Sequence, residues 1–304
     1  MQADFDEFKQ FDFPQSNVHL WVFKKSSTPS KFNAYFVRTD AQLSNTLKNL
    51  ASAERDRLTE YSEYTYLAEV NESSCLGMEV IGTNFEKLKI QVDRPEPENL
   101  IRGIKDLNNA EGYVVKFIHL NTSIYAVKRS TTTWKTSYPR KFINMVFRDG
   151  ELATAEDKSF SIEKNFDFFS VNDSMFITKK RSFESIMEYR DGFTVAFSAL
   201  QQNPNFSALF KDLQPLVQYV GTNAIQLRRM AAIEKKGIYA DPAFLLNFQR
   251  VSTNRGWRIN FDLVTNQIVP CPQTVQQIIE VLLDHHLMSE VTQYTYLVPD
   301  ATRS

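Results

Sequence analysis

The feature of this sequence that most constrains its fold is a change of periodicity within one short segment, Ser161–Arg190. Its first half holds two apolar runs, Ile162–Val171 and Met175–Ile177, on either side of the polar residues Asn172–Ser174. Asn and Asp tolerate the backbone conformations of tight turns, so this pattern predicts a β-hairpin. The second half changes to the spacing of a helix, which indicates that sheet and helix meet here.

A basic triplet, Lys179-Lys180-Arg181, stands between the predicted hairpin and the predicted helix. Ser182 can cap that helix, because a serine side chain accepts a hydrogen bond from the backbone of the first turn. Phe183, Ile186 and Met187 recur at helical spacing and mark the buried face of the helix. From this change of pattern we predict an α+β fold, in which an antiparallel sheet packs against a C-terminal set of helices.

The chain is predicted to have two parts, with a boundary near residue 110. Residues 1–110 form a smaller N-terminal α+β region, and residues 111–304 form the main domain. The segment Arg94–Glu98 contains two prolines, which break regular structure ahead of the boundary. Within the main domain we expect a sheet over 111–178, helices over 182–286 and a C-terminal hairpin over 287–298.

Hydrophobic periodicity and turn residues predict the individual elements. The predicted strands are Asn17–Lys24, Lys31–Arg38, Lys87–Val92, Tyr113–Leu120, Ile124–Lys128, Phe142–Phe147 and Glu151–Ala153. The predicted helices are Ala41–Ser62, Asn99–Leu107, Ser182–Gln201, Phe206–Tyr219, Asn223–Lys236, Pro242–Arg255 and Thr274–His286. A further small hairpin is expected within Trp257–Val269.

Charge is distributed unevenly, although the net charge of the chain is only −1. Residues 111–148 and residues 179–258 each carry a net charge of +6. Local positive potential attracts polyanions such as nucleic acid. The sequence has no apolar stretch near the roughly 20 residues that a membrane span needs, and its first residues lack the pattern of a signal peptide. We therefore expect a cytoplasmic protein that is not itself inserted in a membrane.

Sequence patterns of catalytic or metal sites are scarce. The four His and two Cys have no spacing typical of zinc sites, so we predict no structural metal, no cofactor and no disulfide between Cys75 and Cys271. One E-x-K match, Glu234-Lys235-Lys236, lies on a predicted helix without the preceding strand that a nuclease of this type needs. The chain is predicted not to be an enzyme, and a nuclease with a dispersed active site stays open as an alternative.

Basic residues among hydroxyl-bearing and aromatic residues are the positive functional signal. Lys and Arg neutralise phosphates, and Ser, Thr and Tyr hydroxyls hydrogen-bond them. Each basic group, taken alone, is also explained by a solvated charged face. Together they predict a DNA-binding surface formed by Lys128, Arg129, Lys135, Arg140, Lys141, Lys179, Lys180, Arg181, Arg228, Arg229, Lys235 and Lys236.

The segment Ser174–Tyr189, SMFITKKRSFESIMEY, resembles the core of the domain found in the KwaB family of the bacterial Kiwa anti-phage system. In that family a strand leads into a basic residue and then into an aromatic-Glu pair that opens a helix. The residues that match this pattern are Ile177, Lys180 and Phe183-Glu184. The C-terminal segment Leu282–Asp300 is also similar.

The resemblance extends roughly from Glu111 to the C-terminus, and it implies a cytoplasmic anti-phage defence effector. It further implies DNA binding without known enzymatic chemistry, and a partnership with a small membrane protein, KwaA, that recruits the effector to the inner membrane. We also expect a homo-oligomer. The family provides no catalytic residue to transfer to this chain.

Three functions follow as hypotheses. The first is an effector that binds DNA largely without sequence specificity and blocks phage DNA replication or expression. The second is a protein-binding scaffold of a defence complex, whose basic surface contacts an acidic partner. The third is the nuclease with a dispersed site. Salt-sensitive DNA retention without cleavage distinguishes the first from the other two.

Overall fold

The computed structural model describes most of the chain and divides it into two compact units. One unit consists of Met1–Tyr64 and Glu69–Met187, and the other of Thr65–Ala68 and Glu188–Ser304. The residues that the structure describes are 1–94, 99–107, 109–129, 145–148, 151–154, 164–289, 292 and 294–298.

The first unit is built on an eight-stranded sheet. Its helices are α1 (Gln2–Gln10), α2 (Ala41–Arg57), α3 (Asn84–Val92) and α4 (Lys180–Ile186). Its strands are β1 (Asn17–Lys25), β2 (Phe32–Val37), β3 (Glu60–Glu63), β4 (Ser74–Glu79), β5 (Gly112–His119), β6 (Thr122–Arg129), β7 (Met145–Arg148), β8 (Glu151–Thr154), β9 (Phe168–Val171) and β10 (Ser174–Ile177). The strand order is β2-β1-β5-β6-β9-β10-β4-β3, and β7 pairs with β8 in a separate hairpin. The large sheet is antiparallel except for the parallel pair β3 and β4.

Aromatic side chains fill both faces of this sheet, because successive residues of a strand point to opposite sides. Phe169 of β9 packs on Phe8 of α1, with ring centroids 4.9 Å apart. The preceding residue, Phe168, packs on Phe85 of α3 and Phe183 of α4, at 5.4 and 5.2 Å. All five rings are fully buried. The sheet is therefore covered by helices on both faces.

The α+β class predicted from the sequence is confirmed, but the division of the chain differs from the predicted boundary near residue 110. β1 lies before that boundary and β5 after it, and the two strands pair over seven residues from Asn17↔Ile118 to Phe23↔Gly112. Strands from both predicted regions thus form one sheet. The observed division falls instead at Tyr64 and Met187.

Three predicted elements of the first unit differ from the structure. The predicted helix Asn99–Leu107 is only a 3-10 turn over Ile104–Leu107, and Leu100 forms a β-bridge with Phe36. Lys87–Val92 is part of helix α3 rather than a strand, and it buries Phe85, Leu88 and Val92 on one helical face. The predicted helix Ala41–Ser62 ends earlier, at Arg57, and the chain then enters β3. The start of α2 is as expected, since Asp40 accepts a hydrogen bond from the backbone N–H of Leu43 at 2.7 Å.

The second unit is mainly helical and has its own hydrophobic core. Its helices are α5 (Tyr189–Gln202), α6 (Pro204–Ser207), α7 (Gln214–Val220), α8 (Ala224–Lys236), α9 (Phe244–Asn254) and α10 (Val275–Leu282), and its short hairpins are β11 (Asn260–Phe261) with β12 (Ile268–Val269) and β13 (His286–Met288) with β14 (Thr295–Leu297). The continuous helix predicted for Ser182–Gln201 is interrupted between α4 and α5, where Glu188 has a left-handed backbone (φ 59°). No helix within the described residues is long and apolar enough to cross a membrane.

Candidate nucleic-acid interface

Three adjacent strands, β6, β9 and β10, bring basic residues to one end of the large sheet. Val127, Phe168 and Ile177 are paired in register across these strands. Because β9 runs antiparallel to its neighbours, the residues after Val127, before Phe168 and after Ile177 all lie at the same end. The chain therefore places Arg129 and Lys179 close to that end, although they are fifty residues apart in sequence.

Asp167 connects the ends of these three strands. Its carboxylate Oδ2 accepts a hydrogen bond from the backbone N–H of Arg129 at 2.7 Å. Its backbone carbonyl accepts hydrogen bonds from the N–H groups of Thr178 and Lys179, each at 2.9 Å. The Asp167 side chain is completely buried. One residue thus fixes the position at which β6 ends and the position at which α4 begins.

Lys128 differs from the expectation that it lies on a DNA-facing surface. Its side chain is only 6% exposed, and its Nζ lies 3.1 Å from Oδ1 of Asp167. The same Nζ donates a hydrogen bond to Oδ1 of Asn165 at 2.5 Å. A phosphate contact would require this buried ammonium to leave both partners. Lys128 is therefore not part of the exposed surface at this end of the sheet.

The basic triplet begins helix α4. The helix starts at Lys180 with Lys179 as its N-cap, so Ser182 lies within the first turn and does not cap it as predicted. Lys179 and Arg181 are exposed, and neither has an ion-pair partner within the part of the chain that the structure describes. Lys180 is half-buried, and its Nζ lies 5.6 Å from the ring centroid of Tyr64, within the range of a cation–π contact.

Glu184, the second residue of the pair Phe183-Glu184, lies beneath the basic triplet. It is 5% exposed, and its Oε1 accepts a hydrogen bond from the Tyr64 hydroxyl at 3.0 Å. Tyr64 therefore contacts both Glu184 and Lys180, which are four residues apart and so share one side of α4. These contacts attach the start of α4 to Tyr64, which follows strand β3 of the same unit.

Two further cations at this end of the sheet were missed from the sequence. Lys164 is exposed, and it precedes Asn165, which contacts Lys128. Lys25 stands at the end of β1, and its Nζ lies 3.6 Å from Oε1 of Glu111. The Nε of Arg129 lies 3.7 Å from the same oxygen. The side chains of Lys25 and Arg129 are 44% and 40% exposed.

We call Arg129, Lys164, Lys179 and Arg181 the basic end of the sheet.

The other predicted DNA-binding residues do not all belong to this group. Lys135, Arg140 and Lys141 lie outside the described residues. The four basic residues of α8 lie in the second unit, and their surroundings differ from one another. The Arg228 guanidinium lies over Phe193 at 5.7 Å, Arg229 is half-buried, Lys235 is exposed, and the Nζ of Lys236 donates to the carbonyl of Leu283 at 2.9 Å.

No group of three or more His, Cys, Asp or Glu within the described ranges is arranged to hold a metal ion. Cys75 is buried, and burial raises the pKa of its thiol to about 12. At neutral pH this thiol therefore stays protonated and is a poor nucleophile.

The comparison with protein families decides the identity of the chain. A family model described as Kiwa protein KwaB-like matches residues 107–292, which is more than half of the chain. The chain belongs to the KwaB-like family. It is thus a component of the Kiwa anti-phage defence system, as the resemblance of Ser174–Tyr189 predicted. No curated protein and no solved structure matches it.

The family match covers only part of the first unit. Residues 107–292 contain β5–β10 and α4, and hence every residue of the basic end. They exclude β1–β4, which complete the sheet on both sides of those strands. The part of the sheet that carries the basic end is therefore a feature of the KwaB-like region itself.

Proposed function

We propose that this KwaB-like protein is an anti-phage effector that binds DNA largely without sequence specificity through the basic end of the sheet, and that it thereby blocks phage DNA replication or expression. The observation that carries the proposal is the pair of exposed cations Lys179 and Arg181, which have no ion-pair partner within the described residues. Exposed Lys and Arg side chains provide most of the affinity of nonspecific DNA binding, because they displace counterions from phosphates.

The rigidity of the strand ends supports this proposal. Asp167 attaches Arg129 and Lys179 through backbone hydrogen bonds, so the positions of these residues are set by the sheet rather than by an unattached loop. A backbone that is already held loses less conformational freedom when the side chains that it carries contact a phosphate. The basic end is therefore suited to bind the regular array of phosphates along a duplex.

The charge at the opposite end of the same sheet also supports the proposal. There, Asn172 donates hydrogen bonds to the carboxylates of Asp4 and Glu7 of α1, and Glu7 also accepts one from Thr122. Lys89 also lies at this end, where its Nζ donates to the carbonyl of Asn172 at 3.0 Å. Carboxylates repel phosphate, so the presence of Asp4 and Glu7 here favours binding at the basic end.

We propose that the protein acts by binding alone, without cleaving DNA, and that a KwaA-like membrane protein recruits it to the inner membrane, where it works as a homo-oligomer. Membership of the Kiwa system supports the existence of partner proteins. Copurification of the two proteins from detergent-solubilised membranes tests the recruitment. Light scattering of the purified chain tests the homo-oligomer.

The decisive experiment is DNA binding as a function of salt, with and without Mg²⁺. Fluorescence anisotropy of labelled duplexes of unrelated sequence should show similar affinities and a steep loss of binding with salt. Gel analysis of the same samples should show intact DNA in Mg²⁺. An absence of retention would favour the protein-scaffold function, and Mg²⁺-dependent products would favour the nuclease.

A further inference from the structure

The second unit contains a cavity that the proposed DNA-binding function does not use. Its volume is about 260 Å³, and it lies beside helix α9. The residues of its lining that bear on a ligand are Asp241, Phe244, Phe248, Trp257, Asp284 and His286. Four of these are aromatic and two are carboxylates. Arg255 does not line the cavity, but its guanidinium lies 5.6 Å from the ring centroid of Trp257, so one part of the aromatic wall already contacts a cation.

The aromatic residues form connected walls. The rings of Phe244 and Phe248 are 5.9 Å apart, those of Phe248 and Trp257 are 6.4 Å apart, and those of Trp257 and His286 are 4.8 Å apart. Burial lowers the pKa of His286, Glu280 opposes this effect, and Arg255 adds to it. The lowered pKa favours the neutral imidazole, whose ring then forms part of the aromatic wall.

The two carboxylates, Asp241 and Asp284, are exposed and have no ion-pair partner within the described part of the chain. Oδ1 of Asp241 accepts a hydrogen bond from the backbone N–H of Ala243 at 2.8 Å, as expected of a residue in a turn before a helix. Asp284 has a left-handed backbone conformation, with φ 58°. Neither local role requires a negative charge, since asparagine serves as well in both.

We propose that this cavity binds an organic cation, namely a guanidinium or alkylammonium group joined to an apolar stem. Aromatic faces attract such cations through the negative charge of their π-systems, and the desolvated cation then finds a carboxylate partner at the cavity mouth. The chemistry is that of an arginine or lysine side chain of a protein partner, or of a free polyamine. The volume is close to the lower limit of ligand pockets, which suits one side chain or one small molecule.

Titration calorimetry of the full chain tests this inference. The probes are N-acetyl-L-arginine amide and spermidine, and the matched neutral probe is N-acetyl-L-citrulline amide, which keeps the shape of arginine without its charge. The citrulline compound should bind at least tenfold more weakly than the arginine compound. The double variant Asp241→Asn, Asp284→Asn should weaken cation binding at least tenfold, and it should fold because asparagine satisfies both backbone requirements.

The two probes distinguish the sources of the cation. Binding of the arginine compound but not of spermidine indicates a partner's side chain, and the reverse indicates a free polyamine. The inference is overturned if citrulline binds as tightly as arginine, if the folded double variant binds unchanged, or if neither cation binds at about 10 mM. The double variant should keep the DNA affinity and its salt dependence, so this test and the test of DNA binding fail independently.

A second variant separates the aromatic contribution from the charge. Phe244→Leu keeps an apolar side chain in the wall and removes the π-system. It should weaken binding of the arginine compound severalfold and leave the weak binding of citrulline unchanged. An equal loss for both probes would mean that the wall acts only through its apolar surface, and it would contradict the cation assignment.

Discussion

The Nζ of Lys128 lies 3.1 Å from Oδ1 of Asp167, in a site where the two side chains are 6% and 0% exposed. Removing two charges from water is costly, so a buried ion pair adds less stability than its attraction alone would give. Breaking such a pair is different, because the remaining charge stays buried without compensation. The pair therefore serves to hold the strand ends from which Arg129 and Lys179 reach solvent.

Lys128→Met should lower the free energy of unfolding by about 3–5 kcal/mol, because it removes a cation that lies 3.1 Å from the buried Asp167 carboxylate. Urea denaturation measures this loss. The double variant Lys128→Met, Asp167→Asn removes both charges and should cost less than the sum of the two single variants. Strict additivity of the three measurements would contradict the coupling seen between the two side chains.

The contact beneath the basic triplet gives a second prediction. The Tyr64 hydroxyl donates to the buried carboxylate of Glu184 at 3.0 Å, so Tyr64→Phe should destabilise the protein by about 1–3 kcal/mol. Tyr35→Phe is the matched control. Tyr35 is half-buried on β2 and contacts Lys24 through its ring, which the substitution keeps, so its effect should stay within about 0.5 kcal/mol. Equal effects of the two substitutions would refute a special role for Glu184.

Helix α3 shows why one element could not be identified from local pattern. Leu88, Ile90 and Val92 alternate as in a strand, and that alternation led to the strand prediction for Lys87–Val92. In the structure Ile90 is 61% exposed, whereas Leu88 and Val92 are buried together with Phe85. A short apolar segment fits both the period of a strand and the period of a helix. Its packing against the sheet decides which of the two forms.

The sheet itself illustrates the limit on long-range pairing. Both strands of the β9–β10 hairpin could be predicted, because their turn residues lie between them in sequence. The pairing of β1 with β5 could not, since nearly ninety residues separate the two strands. This pairing is what joins the two predicted regions into one unit.

The candidate site was predictable where it depends on one segment, and not where it depends on several. The triplet Lys179–Arg181 follows a predicted hairpin strand directly, so its place at a strand end could be read from the sequence. The burial of Lys128 could not, because its partner Asp167 is 39 residues away and lysine is usually exposed. Lys25 and Lys164 were missed because only the sheet register brings them to the same end.

His286 gives a prediction for the dependence of stability on pH. Its pKa is lowered in the folded protein, chiefly by burial, so the unfolded chain binds more protons below the ordinary value of 6.5. The stability that the neutral ring contributes is complete above that value and is lost as the pH falls toward the folded pKa. His286→Phe keeps a ring and cannot titrate. Urea denaturation at about pH 7.5 and about pH 5.5 measures how far the free energy of unfolding falls between the two. This fall should be smaller in the variant than in the unmodified protein, and the difference should be less than about 1.4 kcal/mol per pH unit. An identical loss in both proteins would contradict the lowered pKa.

The salt dependence of DNA binding gives the sharpest test of the basic end. Each phosphate contact contributes about −0.9 to the slope of log affinity against log salt, so four contacts predict a slope of roughly −3 to −4. Lys179→Ala, Arg181→Ala removes two exposed cations that have no ion-pair partner within the described residues. This double variant should flatten the slope by about 2 and lower the affinity to a similar degree for duplexes of unrelated sequence. Its stability should change little, because exposed charges contribute roughly 0–1 kcal/mol.

Arg38 offers a matched control for the single substitution Arg181→Ala. It is an exposed arginine that directly follows β2. Lys25 pairs with Phe32 at the start of β2, so Arg38 lies at the other end of that strand, away from the basic end. Both substitutions remove one positive charge from the first unit, so a general effect of net charge would appear equally in both. If the basic end contacts DNA, Arg181→Ala flattens the salt slope by about 1 and Arg38→Ala leaves it unchanged. Equal salt slopes for the two folded variants would show that the attraction for DNA is spread over the whole surface. A salt slope near zero in the unmodified protein would favour a protein partner instead of DNA.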